Sequence, residues 1–313
     1  MKTEPATKII KKASVSAMNQ QFEGVYAVVV TPFLEDGSFD FTAAKKNVDA
    51  LLADGVHGIC LLGATGEYMS VTNEEHKAYV SEMVPYIKDR TSVIVGVTRE
   101  RADDVIELSL HAKACGAHAV MALTPPYCHP SQEEAVENYR YIMEKIDFPV
   151  MVYNNPGSCG IELSREAFSQ LFTLPHTAIV KESSGDIHKL QEVLEDAPEK
   201  VSVFCGCDNL AFESFANGTN GWICMLANVA PKDCVALFDA VYKEKDLKKG
   251  MAIYKRILPA LNVLESFPKP VQALKYLLTR KGLNGGWVRR PRMELTAEEK
   301  AFVVSEMRAD EIH

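Results

Sequence analysis

Residues 92–127 read SVIVGVTRERADDVIELSLHAKACGAHAVMALTPPY, and the order of patterns in this stretch decides the fold class. Ser92 to Val97 and Ala119 to Leu123 are short, nearly unbroken apolar runs, as expected of strands buried on both faces. Between them, Asp103 to Cys115 carries a helical hydrophobic period. Strand, helix and strand in that order form a βαβ unit, which calls for a parallel sheet.

Working outward, the same alternation recurs. Further strand candidates are Val25 to Val30, Gly58 to Leu62, Val150 to Tyr153, Ala178 to Lys181, Ser202 to Cys205 and Gly221 to Met225, which makes eight in all. Helical patterns run from Phe41 to Leu52, Asn73 to Ile87 and Gln132 to Lys145, with helix-start signals at Thr72 and Ser131. Eight such units close into an α/β fold, the (β/α)8 TIM barrel. An open doubly wound sheet would show a glycine-rich turn after its first strand, where Thr31-Pro32-Phe33 stands instead. Leu247 to Leu264, Val271 to Lys281 and Thr296 to Met307 read as extra helices. The expected organisation is a flexible extension over 1–22, a catalytic barrel over 23–245 and a C-terminal helical extension over 246–313.

Bulk properties exclude several functions. With 47% hydrophobic and 24% charged residues, the chain can build a large core. A net charge of -8, with basic residues scattered among acids, offers no face for a nucleic acid. No run of membrane-spanning length and no signal-peptide pattern is present, so no membrane partner and a cytoplasmic location are expected. The eight cysteines read as buried thiols, lacking both a disulfide framework and the paired spacing of a zinc site.

In barrels of this kind the chemistry sits at the C-terminal strand ends. There the sequence places Gly63-Ala64-Thr65-Gly66-Glu67, Thr124-Pro125-Pro126-Tyr127, Tyr153-Asn154-Asn155-Pro156, Lys181-Glu182-Ser183-Ser184-Gly185 and Gly206-Cys207-Asp208-Asn209. Alternation puts Lys181 on one face with Ile179 and Thr177. A lysine drawn out of water is expected to lose charge and so keep a free amine for attack on a carbonyl. Alone, such a lysine would usually just extend its amine to solvent. Tyr153, at the matching place on the preceding strand, changes the reading, because phenol and amine could share one substrate across about 4.8 Å. The glycines around Ala64 and Thr65 suit either a tight turn or a carboxylate-binding loop of backbone amides.

Taken together, these segments resemble the dihydrodipicolinate synthase / N-acetylneuraminate lyase family of Schiff-base lyases, from about Gly24 to the C-terminus. The resemblance implies Lys181 as Schiff-base lysine, Tyr153 as proton relay, and Ala64 and Thr65 as the carboxylate turn. It also implies that Gly206 and Ile223 line a keto-acid pocket, that Tyr127 reaches a neighbouring subunit, and that the protein is a homo-oligomer, usually a tetramer of two tight dimers. A small 2-oxo acid is the implied substrate, with no cofactor, since the lysine itself is the electron sink.

Two departures bear on specificity. Where the synthase has a threonine whose hydroxyl links two tyrosines, this chain has Ala64. Where the synthase has an arginine that grips the carboxylate of aspartate semialdehyde, Ser158 stands. True dihydrodipicolinate synthase activity is therefore not expected. The segments look closer to catabolic members such as pyrroline-4-hydroxy-2-carboxylate deaminase or 2-keto-3-deoxy sugar-acid aldolases and dehydratases. Two rivals stand beside this reading: a metal-dependent aldolase, against which His129 and His176 are isolated, and a keto-acid sensor without turnover, which the missing hydroxyl at Ala64 would permit.

Overall fold

The computed structural model describes residues 22–313. Eight parallel strands, β1 (Gly24–Val28), β2 (Gly58–Leu61), β3 (Ser92–Gly96), β4 (Ala119–Leu123), β5 (Val150–Asn154), β6 (Thr177–Glu182), β7 (Ser202–Cys205) and β8 (Gly221–Cys224), close on themselves in sequence order, with β8 pairing β1. The expected (β/α)8 barrel is the observed fold, and strand ends differ from the sequence reading by only a residue or two.

The helices wrap the sheet: α1 (Phe41–Ala53), α2 (Asn73–Ile87), α3 (Ala102–Cys115), α4 (Gln132–Ile146), α5 (Arg165–Thr173), α6 (Ile187–Asp196), α7 (Ala211–Ala216) and α8 (Pro231–Phe238). Both expected helix starts are capping boxes. Thr72 and Ser131 each accept from the backbone N–H three residues on, and the glutamate there, Glu75 or Glu134, returns the bond. In α4 the buried residues Ala135, Val136, Tyr139, Ile142, Met143 and Ile146 fall at three- and four-residue steps, which gives the helix one apolar stripe to press on the barrel.

Two apolar layers result. The outer one joins sheet to helices, and buried side chains such as Trp222 and Phe168 anchor it at roughly 1.5–3 kcal/mol each. The inner one fills the barrel with Tyr26, Cys60, Met121, Met151, Ile179 and Phe204, among others. Phe22, assigned from sequence to the N-terminal extension, belongs to this inner layer at 2% exposure, because its ring packs inside the barrel. The rest of that expected extension, 1–21, lies outside the described residues.

Strand β6 departs from strict alternation. Its pairing with β5 jumps from Val150↔Thr177 to Met151↔Ile179, so Ala178 is an extra residue in a bulge. Thr177 accordingly turns away from the face of Ile179 and Lys181 and donates to the Leu171 carbonyl at 2.7 Å. The expectation that all three share a face is corrected for Thr177 and holds for the other two.

After the barrel come α9 (Leu247–Ser266), α10 (Pro270–Arg280) and α11 (Ala297–Glu306). Among the described residues no helix is long and apolar enough to cross a membrane.

Candidate active site

Lys181 and Tyr153 are direct partners across β5 and β6, both facing into the barrel. Lys181 is 6% exposed and Tyr153 7%, and the amine rests 3.9 Å from the centroid of the phenol ring. The strand ends beneath them are locked by the residues that follow each in sequence. Asn154 Nδ2 donates to Glu182 Oε1 at 2.9 Å, and the Ser183 N–H donates to the Asn154 carbonyl, also at 2.9 Å. The first asparagine and the glutamate of the two motifs are therefore struts that fix the separation of amine and phenol.

A cavity of about 200 Å³ opens above this pair, lined by Ala64, Thr65, Tyr153, Lys181, Gly206 and Ile223 among others. Six of the seven residues singled out from sequence thus meet in one place. The seventh, Tyr127, lies outside it at 85% exposure, on a separate surface hollow shared with Tyr68 and Met69.

The Ala64–Thr65 turn is held rigidly. Thr31 Oγ1 donates to the Gly66 carbonyl at 2.8 Å, and the Glu67 N–H donates back to the Ala64 carbonyl at 3.1 Å. Glu67, fully buried with a left-handed backbone (φ 58°), lies 2.6 Å from Lys275 Nζ on α10 and accepts from the Arg289 N–H at 3.2 Å. Burial lowers the Lys275 pKa and Glu67 opposes that.

The amine's electrostatics differ from expectation. Burial works to lower the Lys181 pKa, yet Tyr153, with smaller contributions from Cys60 and Cys207, outweighs it and the net direction is upward. The cause is the close pairing with an oxygen acid. Desolvation alone therefore does not leave this amine uncharged.

The sequence reading gave no site role to six residues of the cavity, the apolar Val28 and Met225 and four with polar side chains. Asn155 and Ser183 lie two positions beyond Tyr153 and Lys181, and Cys207 follows Gly206. Period-two alternation carried past the strand ends could have found the first two. Glu265 comes from α9, and no local pattern marks it. Its Oε1 accepts the Asp208 N–H at 2.6 Å, and burial of the carboxyl end raises its pKa although the residue as a whole is solvent-exposed. Asp208 beside it accepts from Trp222 Nε1 and from the backbone of Met225 and Leu226. Burial, with Glu265 adding to it, pushes its pKa up to about 7.

A buried lysine, a phenol on the adjoining strand and a loop of backbone amides across the barrel can hold a 2-oxo acid and activate its ketone. Residues 21–310 match the dihydrodipicolinate synthetase family. The chain belongs to that family. It is 31% identical over 283 residues to the 4-hydroxy-tetrahydrodipicolinate synthase of Methanothrix thermoacetophila, covering 90% of this chain and 94% of the relative. With the enzyme of the same name from Methanocaldococcus jannaschii it shares 31% identity over 285 residues, 90% and 96% of the two chains. A chloride-inhibited dihydrodipicolinate synthase from Acinetobacter baumannii, solved with pyruvate, superposes with a TM-score of 0.87 at 30% identity, covering 93% of this chain and 99% of that one. As a member of the dihydrodipicolinate synthetase family the protein is a lyase that works through a Schiff base on a small 2-oxo acid.

Proposed function

We propose that Lys181 is the Schiff-base lysine, that Tyr153 moves its protons, and that the substrate is a 2-oxo acid whose far end carries no carboxylate. The substrate carboxylate is taken by the Ala64–Thr65 turn on β2, which faces β6 across the eight-stranded ring. Nζ adds to C2 and water leaves. The resulting iminium draws electrons so that the C3–C4 bond, or a C4 substituent, breaks to leave an enamine.

The observation that carries this reading is the composition of the cavity. Among the described residues Lys181 is the only cationic side chain lining it, and beyond that amine stand Ser183, Cys207 and the Glu265 carboxylate. Ser158, where a carboxylate-gripping arginine is expected in the synthase, is exposed on the single helical turn Pro156–Cys159. A second carboxylate would meet Glu265 with no counter-charge, whereas a hydroxyl or amino group would find acceptors. This favours an aldolase, dehydratase or deaminase of hydroxylated 2-oxo acids over condensation with aspartate semialdehyde. A homo-oligomer is part of the proposal, supported by Tyr127 and the 68%-exposed Met69 on one surface hollow.

Borohydride added with pyruvate tests the chemistry. Reduction should attach the keto acid to Lys181, located by peptide mass, and Lys181→Met should abolish the adduct. An adduct elsewhere, or none, rejects the assignment. A screen of 4-hydroxylated 2-oxo acids and hydroxyproline-derived pyrrolines against aspartate semialdehyde then tests specificity. Faster turnover of the semialdehyde would reject the reading of the far end.

A further inference from the structure

Ala64 leaves the phenol of Tyr153 without the hydroxyl partner that a threonine would give, yet its oxygen is not left bare. Asn155 Nδ2 donates to Tyr153 Oη at 2.8 Å. The orientation of that amide is set by a second bond. Asn155 caps the turn Pro156–Cys159, and its Oδ1 accepts the Ser158 N–H at 3.1 Å. With the carbonyl end so occupied, only the NH2 end faces the phenol. Asn155 also lines the cavity.

We infer that Asn155 is a positioning residue for catalysis, holding the Tyr153 oxygen as a proton donor and stabilising its anion, and that the proton circuit is closed within one protomer's cavity. The inference rests on the reading of Tyr153 given above. In the dehydration step the Tyr153 proton passes to the carbinolamine hydroxyl. The C–O bond breaks with its electron pair and water leaves. The nitrogen lone pair forms the C=N bond, and an iminium and a phenolate remain. The Asn155 N–H, already aimed at that oxygen, strengthens as the charge develops. An amide NH2 donates but does not take up a proton at this step, so nothing passes onward through it. The phenolate regains its proton from C3 of the iminium, which becomes the enamine, or from solvent in the cavity.

Three variants separate this role from a merely structural one. Asn155→Asp keeps an oxygen to cap Ser158 but replaces the donor with an acceptor. Asn155→Ala removes both, and Tyr153→Phe removes the group that Asn155 is said to serve. The readout is the rate of iminium formation with pyruvate, by borohydride quenching at timed intervals, together with its dependence on pyruvate concentration. Asn155→Asp and Asn155→Ala should each slow iminium formation roughly 10- to 100-fold with little change in the concentration dependence. In a Tyr153→Phe background the same changes should cost less than about twofold, since residues acting through one another are not additive. A fully active Asn155→Asp would overturn the inference and leave the cap as the residue's only role. Equal losses in both backgrounds would do the same while leaving Tyr153 in place. A Tyr153→Phe protein as fast as the native one would instead remove the reading of Tyr153 itself.

Discussion

At position 206 only a hydrogen fits. A Cβ built there would lie 1.8 Å from Ser183 Oγ, 2.8 Å from Lys181 Cε and 2.9 Å from the Glu182 carbonyl. The serine hydroxyl could rotate away, but the carbonyl is backbone and the lysine stem carries the amine proposed to react, so relief must come from displacing Lys181. Gly206→Ala should therefore leave the barrel folded, at a cost of about 1–3 kcal/mol for overpacking. Borohydride trapping of pyruvate should slow by about tenfold or more, since small misplacements of a reacting atom are costly. Denaturation midpoints and trapping rates measured together check this, and a Gly206→Ala enzyme that traps pyruvate at the native rate would show that the amine does not depend on this gap. The same residues show how far sequence alone reaches at this scale. Lys181 and Tyr153 were legible because strand register puts them side by side, whereas the sign of the Lys181 shift was not, because it depends on how closely the phenol approaches.

Helix α2 is tied to the barrel by one buried histidine. His76, with no exposed surface, bonds through Nε2 to the Gly96 carbonyl at the end of β3 at 2.8 Å, and its Nδ1 has no hydrogen-bond partner among the described residues. Burial lowers its pKa from 6.5 to about 4, the Gly96 carbonyl opposing only in part. The folded state thus holds His76 neutral, while the unfolded chain takes up a proton below pH 6.5. The stability linked to this group is complete above pH 6.5 and is lost as the pH falls towards 4, by up to roughly 3 kcal/mol at about 1.4 kcal/mol per pH unit. Denaturant titrations at pH 7 and pH 4.5 should show a smaller acid loss for His76→Gln, which keeps an N–H for Gly96, than for the native protein. An identical loss would place the acid sensitivity elsewhere. Elements of this kind were readable where local rules act, as in the capping boxes at Thr72 and Ser131. They were less so where pairing intervenes, and the β6 bulge that turns Thr177 outward follows from its register with β5, which no window of β6 alone contains.

Across the whole molecule, the C-terminal helices complete the site, and this the sequence did not disclose. Glu265 reaches the cavity from α9, and Lys275 on α10 holds Glu67 at the base of the Ala64–Thr65 turn, more than two hundred residues away in the chain. Contacts at such separation leave no local period. Tyr127 marks the opposite limit, since its loop was legible in the sequence while its 85%-exposed ring meets only a surface hollow of this chain. The Glu67–Lys275 pair carries a prediction about how the extension supports the site. Lys275 Nζ also donates to the Trp287 carbonyl at 2.5 Å and lies 4.8 Å from the Phe33 ring centroid, so one ammonium joins the turn, the β1 loop and the segment after α10. Lys275→Met would leave the buried Glu67 with only Arg292, 3.9 Å away, as counter-charge, a loss of up to about 3–5 kcal/mol. Glu67→Gln with Lys275→Met removes both charges and should recover much of that stability. Affinity should not recover in step. With neither charge present the turn keeps its bonds from Thr31 and from the backbone of residue 67 but loses its tie to α10, so the pyruvate concentration needed for half-maximal borohydride trapping should stay raised in the double variant. Stability and affinity restored together would mean that the extension acts only as a brace for the fold. Stability restored with affinity still weak would mean that the C-terminal helices shape the carboxylate site from behind.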